Sequence, residues 1–201
     1  MGYSEFTLKQ VKKDFNLTII ENKDITSDIK EIEISENLSA TLNENVPLAL
    51  AINTEKARSE LIIINVLLEL KKIFKNELSL FSGTEFNVDK QKNLNGFCDY
   101  IISNSPEQLF LNSPIITIVE AKNENIISGY GQCIAEMIAS KIFNEQEGES
   151  TSVIYGVVTT GSIWKFLKLE NNIVHIDLKE YHINNAVKIM GILSAMVKKN
   201  V

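Results

Sequence analysis

The spacing of hydrophobic positions changes several times along the chain, and each change marks an element. Phe6, Leu8, Val11 and Phe15 recur at helical intervals between lysines, predicting a short amphipathic helix over residues 5–15. Residues 16–20 (Asn-Leu-Thr-Ile-Ile) read as a short strand. Residues 21–37 are dense in Glu, Asp and Lys around Ile25, Ile29, Ile32 and Ile34, and read as a solvated covering segment. A helix over 38–51 is expected to be interrupted near Pro47. From Glu55 to Phe74 apolar residues cover most of a helical circumference, so that helix should be largely buried, with Asn53 or Thr54 as its cap.

The pattern then shortens to strand length. Leu78 to Val88 alternates loosely around Gly83, and residues 89–93 form a turn. Residues 97–102 make a second strand, which Gly96 aims through a bulge. Pro114 opens a third strand, Ile115 to Lys122, whose β-branched run belongs in a sheet interior. A helix follows to about Asn144, with Ile134, Met137, Ile138, Ile142 and Phe143 on its core face. Strands over 152–160, 162–169 and 173–178 form an antiparallel meander, and an amphipathic helix runs from Ile183 to Lys199. The fold class expected is α/β, a mixed central sheet flanked by helices. One domain spans 1–201, with residues 1–52 an N-terminal helical elaboration on a core of 53–201.

Composition narrows the function classes. Hydrophobic residues make up 44% of 201 positions and charged residues 23%, ordinary for a globular chain that needs no staples. Cys98 and Cys133 sit in apolar contexts and read as reduced core thiols. With only His175 and His182, imidazole ligation of a metal has little support. No basic and apolar leader precedes residue 5, Phe6 stands where a myristoylation motif needs Ser or Thr, and no apolar run reaches membrane-spanning length, so the cytoplasm is the expected location. Net charge of −6 and a single arginine, Arg58, argue against a broad nucleic-acid surface and against base-specific readout by this chain alone.

Chemistry concentrates between residues 96 and 122. Glu120 and Lys122 are two apart, so on a strand they point to one face, with Cα atoms roughly 6.6 Å apart. Asp99 comes beside Glu120 if the two strands pair. Carboxylates about 4 Å apart repel by roughly 4 kcal/mol at an effective dielectric near 20, so a proton, the lysine or a cation must offset them. Asp, Glu and water are the ligand set of magnesium and manganese. The competing reading is a buried salt bridge among Asp99, Glu120 and Lys122. Lys165 and Lys168, near Trp164, can contact a phosphate backbone or simply line a solvated strand face.

A strand aspartate (here Cys98-Asp99) followed by a strand ending Glu120-Ala121-Lys122 resembles the PD-(D/E)XK nuclease superfamily over about residues 54–169. The resemblance implies a restriction-endonuclease-like fold and metal-dependent hydrolysis of DNA phosphodiesters, endo- or exonucleolytic, with a role in restriction or defence. It implies magnesium or manganese held by Asp99, Glu120 and the Ala121 carbonyl, with Glu60 joining through water and Glu55 as the fallback. Lys122 would be catalytic, and Gln132 and, more weakly, Tyr130 would lie at the site's edge. The fold does not guarantee the activity. A non-catalytic nucleic-acid-binding or assembly module on the same fold is the alternative, and a homodimer or larger complex stays open.

Overall fold

The computed structural model describes residues 2–21, 24–149 and 151–198. Asn22 and Lys23 of the covering segment and Lys199 of the expected last helix lie outside the described residues. The architecture is mixed α/β. Among the described residues eight strands form one sheet: β1 Thr18–Ile20, β2 Ser79–Glu85, β3 Phe97–Ser103, β4 Ile115–Ala121, β5 Val153–Thr159, β6 Ile163–Glu170, β7 Ile173–Ile176 and β8 Tyr181–His182. The order is β1-β7-β6-β5-β4-β3-β2, with β8 also on β6. β2 to β4 are antiparallel, β4 and β5 parallel, and β5 to β7 the expected antiparallel meander. β1 adds to β7 in parallel, so the first fifty residues contribute a strand to the sheet as well as helices.

Helices cover both faces. On one lie α2 Glu36–Ile52, α4 Ile64–Phe74 and α6 Ala186–Lys198; on the other lie α5 Ile126–Gln146 and α1 Leu8–Asp14. All seven residues of β4 are buried, which is why its sequence is largely apolar, broken only by Thr117 and Glu120, and not an alternation. Helix α5 is the crossover that lets β4 and β5 run parallel. Its Gly131 admits the N-terminal segment: a Cβ there would stand 2.1 Å from the Phe6 carbonyl oxygen.

Pro47 does not interrupt α2, which is unbroken from Glu36 to Ile52. The proline removes the hydrogen bond to the Asn43 carbonyl. Asn43 and Pro47 face a cleft, where water can satisfy that oxygen. Leu38, Leu42 and Ala49 are buried in the core and hold both halves in line. Asn53 ends α2 in the left-handed region (φ 53°), and Thr54 caps α3, Glu55–Arg58. The covering segment is less solvated than its charge suggests. Thr26 is buried, Ile25, Ile29, Ile32 and Ile34 pack on the core, and the Ile32 N–H donates to the Val187 carbonyl (3.1 Å).

At the β2 edge, the loop after β3 supplies a substitute for a strand. Gln108 Nε2 donates to the Leu80 carbonyl (2.9 Å). Its Oε1 accepts from Leu80 N–H (3.3 Å) and from Lys71 Nζ (3.0 Å).

Candidate functional site

The β3–β4 ladder runs from Ser103 opposite Ile115 to Tyr100 opposite Val119, and stops there. The next β4 donor on that side is Ala121 N–H, and it goes to Asp99 Oδ2 (2.8 Å) instead of a backbone carbonyl. Asp99 thus fills the fork where the strands part, level with Glu120. On the other side of β4, Lys122 N–H donates to the Thr159 carbonyl (2.8 Å). A strand residue's N–H and C=O leave the same edge, which turns the Ala121 carbonyl toward Asp99.

Glu120 is only 1% exposed. Its Oε1 accepts the Lys122 ammonium, and its Oε2 accepts from Gln132 Nε2 (2.9 Å). Gln132 Oε1 in turn accepts from Lys122 Nζ (3.4 Å). Gly129 makes room for the lysine: a Cβ there would stand 2.7 Å from Val158 Cγ1 and 3.1 Å from Lys122 Cγ. Burial first, then Asp99, pushes the Glu120 carboxyl up to about 8, against the opposing pull of Lys122. For Lys122, burial works downward, but the charge and hydrogen bond of Glu120 outweigh it and the net direction is upward. The two shifts make opposite demands, since a raised lysine needs an ionised glutamate. The ammonium is the firmer assignment, because the Lys122 side chain is 21% exposed and faces several carboxyls, while Glu120 has no water to lean on.

A carboxyl that the sequence pattern did not single out completes the cluster. Glu136, one helical turn beyond Gln132, is fully buried, and its Oε1 accepts from Gln132 Nε2 (3.0 Å). Burial, then Glu120, pushes its pKa well above the carboxylate range. The signal available was a glutamine and a glutamate four apart within an otherwise apolar helix face. Burial and then Glu136 also push the Cys98 and Cys133 thiols up, so both free cysteines are poor nucleophiles.

Asp99 and Ala121 line a cleft of about 310 Å³ whose opposite wall is the start of the first core helix. That wall is α3 and one π-helical turn, Ser59–Ile63, a local widening often found at functional sites. Glu55, Lys56, Ser59 and Glu60 face the cleft from there, and Tyr100 from β3. The Tyr100 hydroxyl lies 2.5 Å from Ser59 Oγ. Glu60 lines the cleft with its carboxylate paired to Lys56 (2.9 Å). The charge of Glu55 reaches both Glu120 and Lys122, whereas that of Glu60 registers on Tyr100. The fallback residue is therefore the one coupled to the buried pair.

The remaining candidates lie apart. Tyr130 and Lys165 line a separate cleft of about 480 Å³. Burial, then Cys133, pushes the Tyr130 phenol up to about 12. Lys165 shares the Glu120 face, in the row Glu120, Val158, Lys165, but its ammonium goes to the Leu178 carbonyl (2.5 Å) and Glu180 (3.5 Å). Lys168 is three residues on, hence on the opposite face, and pairs with Glu170 (3.0 Å). Arg58 is buried and donates to the Thr160 carbonyl (3.0 Å), Ser162 Oγ (3.2 Å) and Asn53 Oδ1 (2.9 Å). It fastens the helix start to the β5–β6 turn.

Among the described residues, no group of three or more His, Cys, Asp or Glu side chains is gathered as a metal site. Two carboxylates and a carbonyl fall short of that count. They nevertheless match the hard oxygen donors of magnesium, which keeps several waters and needs only one or two protein carboxylates. The lone pairs of Glu120 not used by Lys122 and Gln132 remain as acceptors. No protein-family model matches the sequence, and no curated protein is significantly similar to it. Among the described residues no helix is long and apolar enough to cross a membrane.

Proposed function

We propose that the chain is a magnesium- or manganese-dependent phosphodiesterase acting on DNA, built on a restriction-endonuclease-like core. The observation that carries this reading is the end of β4. Asp99 fills the strand fork, Glu120 and Lys122 share one face beside it, and a cleft opens at that strand end. Crevices at the carboxyl ends of strands are where open α/β sheets bind ligands.

In this reading Asp99, Glu120 and the Ala121 carbonyl hold the cation, with Glu55 or Glu60 reaching it through water. The bound cation supplies charge neutralisation at the phosphate and a water of lowered pKa. Lys122 donates to the developing negative charge or orients the attacking water. Gln132 holds Lys122 and Glu120 in mutual register. The test is manganese titration by calorimetry, paired with cleavage of linear, nicked and single-stranded DNA. Manganese uptake should be lost in Asp99→Asn; equal uptake by wild type and variant removes Asp99 from the site.

A non-catalytic module is the second reading. It is favoured by the net charge of −6 and by the internal engagement of Arg58, Lys165 and Lys168, which leaves these cations turned away from an external phosphate. Metal uptake without cleavage of any of the three DNA forms would select it.

A further inference from the structure

The Gln132 amide touches three charged or ionisable groups, and only one orientation serves all three. Its two N–H groups meet Glu120 Oε2 (2.9 Å) and Glu136 Oε1 (3.0 Å), and its oxygen faces Lys122 Nζ (3.4 Å). Turned over, the amide oxygen would face two carboxyl oxygens and its N–H groups would face an ammonium. Glu136 is wholly buried on α5, and among the described residues its second oxygen, Oε2, has no hydrogen-bond partner. A buried polar atom left unmatched costs stability, and a leucine or methionine would pack there without that cost. The carboxyl therefore serves something other than packing, and its one hydrogen bond is to Gln132.

We propose that Glu136 is a positioning residue, holding the Gln132 amide in the orientation that donates to Glu120 and accepts from Lys122. The carboxyl acts through Gln132 and does not reach the cleft itself. Gln132 sits on the first turns of α5 and Glu136 one turn deeper, so the rigid part of the helix sets the position of the amide. The placement of Gln132 stands independently; its effect on rate rests on the phosphodiesterase reading.

The test uses the full chain labelled with ¹⁵N and follows the Gln132 side-chain amide, assigned by its loss in Gln132→Met. In wild type its protons should exchange with solvent far more slowly than those of the exposed Gln91 and Gln146. Glu136→Met keeps the volume and removes the acceptor, so exchange should quicken about tenfold, as expected for one lost buried hydrogen bond. Glu136→Gln still presents an oxygen and should restore slow exchange. Single-turnover cleavage with magnesium should follow the same order, falling about tenfold in the methionine variant and recovering in the glutamine one. Unchanged exchange in Glu136→Met, or a wild-type Gln132 amide exchanging as fast as Gln91, would overturn the proposal. If the methionine variant does not fold, Glu136→Asp replaces it. Its carboxyl withdraws by one methylene, so it should move exchange in the same direction, and no change would be equally fatal. Wild-type protein that cleaves no DNA defeats the phosphodiesterase reading, while the exchange measurements still decide the role of Glu136.

Discussion

Glu120 has a carboxyl pushed up from 4.5 to about 8 by burial and then by Asp99. An acid whose folded pKa is raised contributes fully below its unfolded pKa and destabilises as pH climbs through the folded one. For Glu120 that window is pH 4.5 to about 8. At about 1.4 kcal/mol per pH unit, the loss is roughly 3 kcal/mol at pH 7 and about 5 kcal/mol above pH 8. Glu120→Gln cannot ionise and escapes this loss. It forfeits about 1 kcal/mol for the hydrogen bond from Gln132, whose N–H would now face an N–H. Lys122 loses its counterion but keeps water at its partly exposed side chain. The variant should therefore be more stable than wild type by roughly 2–4 kcal/mol at pH 8, and equal or slightly weaker at pH 5. Urea unfolding of both proteins at the two pH values measures this, and the difference cancels every other titrating group. The same variant should lose manganese affinity, trading function for stability. A glutamine variant less stable than wild type at pH 8 would refute the reasoning. It would mean that the Lys122 pair more than repays the burial of Glu120, as in a purely structural ion cluster.

Lys122→Ala should stay folded, because Glu120 can retain a proton in place of the ammonium, and should still take up manganese by calorimetry, the cation displacing that proton; cleavage should fall about 10²–10³-fold, and loss of the folded state would favour the structural cluster. Glu55→Gln should weaken manganese affinity more than Glu60→Gln, since the charge of Glu55 reaches Glu120 and Lys122 while Glu60 is held by Lys56; the reverse order would return Glu60 to the site. Gly131→Ala puts a methyl 2.1 Å from the Phe6 carbonyl oxygen, a backbone atom that cannot swing aside. Its overpacking cost of about 1–3 kcal/mol should exceed the roughly 1 kcal/mol gained in helix propensity. The melting temperature should then fall, and a rise would show that the N-terminal segment is not docked on α5.

Much of the sheet was legible because β4, β5 and β6 carry β-branched or aromatic runs of strand length, and α5 and α6 carry helical spacing. Two features were not. Periodicity says nothing about which strands become neighbours, so the pairing of Thr18–Ile20 with β7, more than 150 residues away, left no local trace. The proline rule at Pro47 is local, and the burial of Leu38, Leu42 and Ala49 overrides it. Within the site, Glu120 and Lys122 were placed on one face by the strand period alone, and Asp99 by the assumption that its strand pairs with theirs. The same period puts Lys165 and Lys168, three apart, on opposite faces, so they form no joint patch. Glu136 is not legible in the sequence, because a single carboxyl on an apolar helix reads as a residue rotated toward solvent. Only the packing of α5 on β4 and β5 shows that no solvent is there. The contact of Tyr100 with Ser59 depends on a π-helical turn, which has no short-range sequence signature.

The Gln108 amide at the β2 border has a consequence for how molecules of this protein meet. An outermost strand is a template on which another chain can grow, and long, flat borders of that kind seed fibres. Here one side chain occupies the donor and the acceptor of Leu80, so an incoming strand must first evict it and free Lys71 as well. The blockade is a few atoms wide and sits near the start of β2, one residue in from Ser79, so a ladder along the full length of the strand cannot form while it is in place. Gln108→Ala would reopen that template, and the protein would become prone to concentration-dependent aggregation while each molecule kept its own fold.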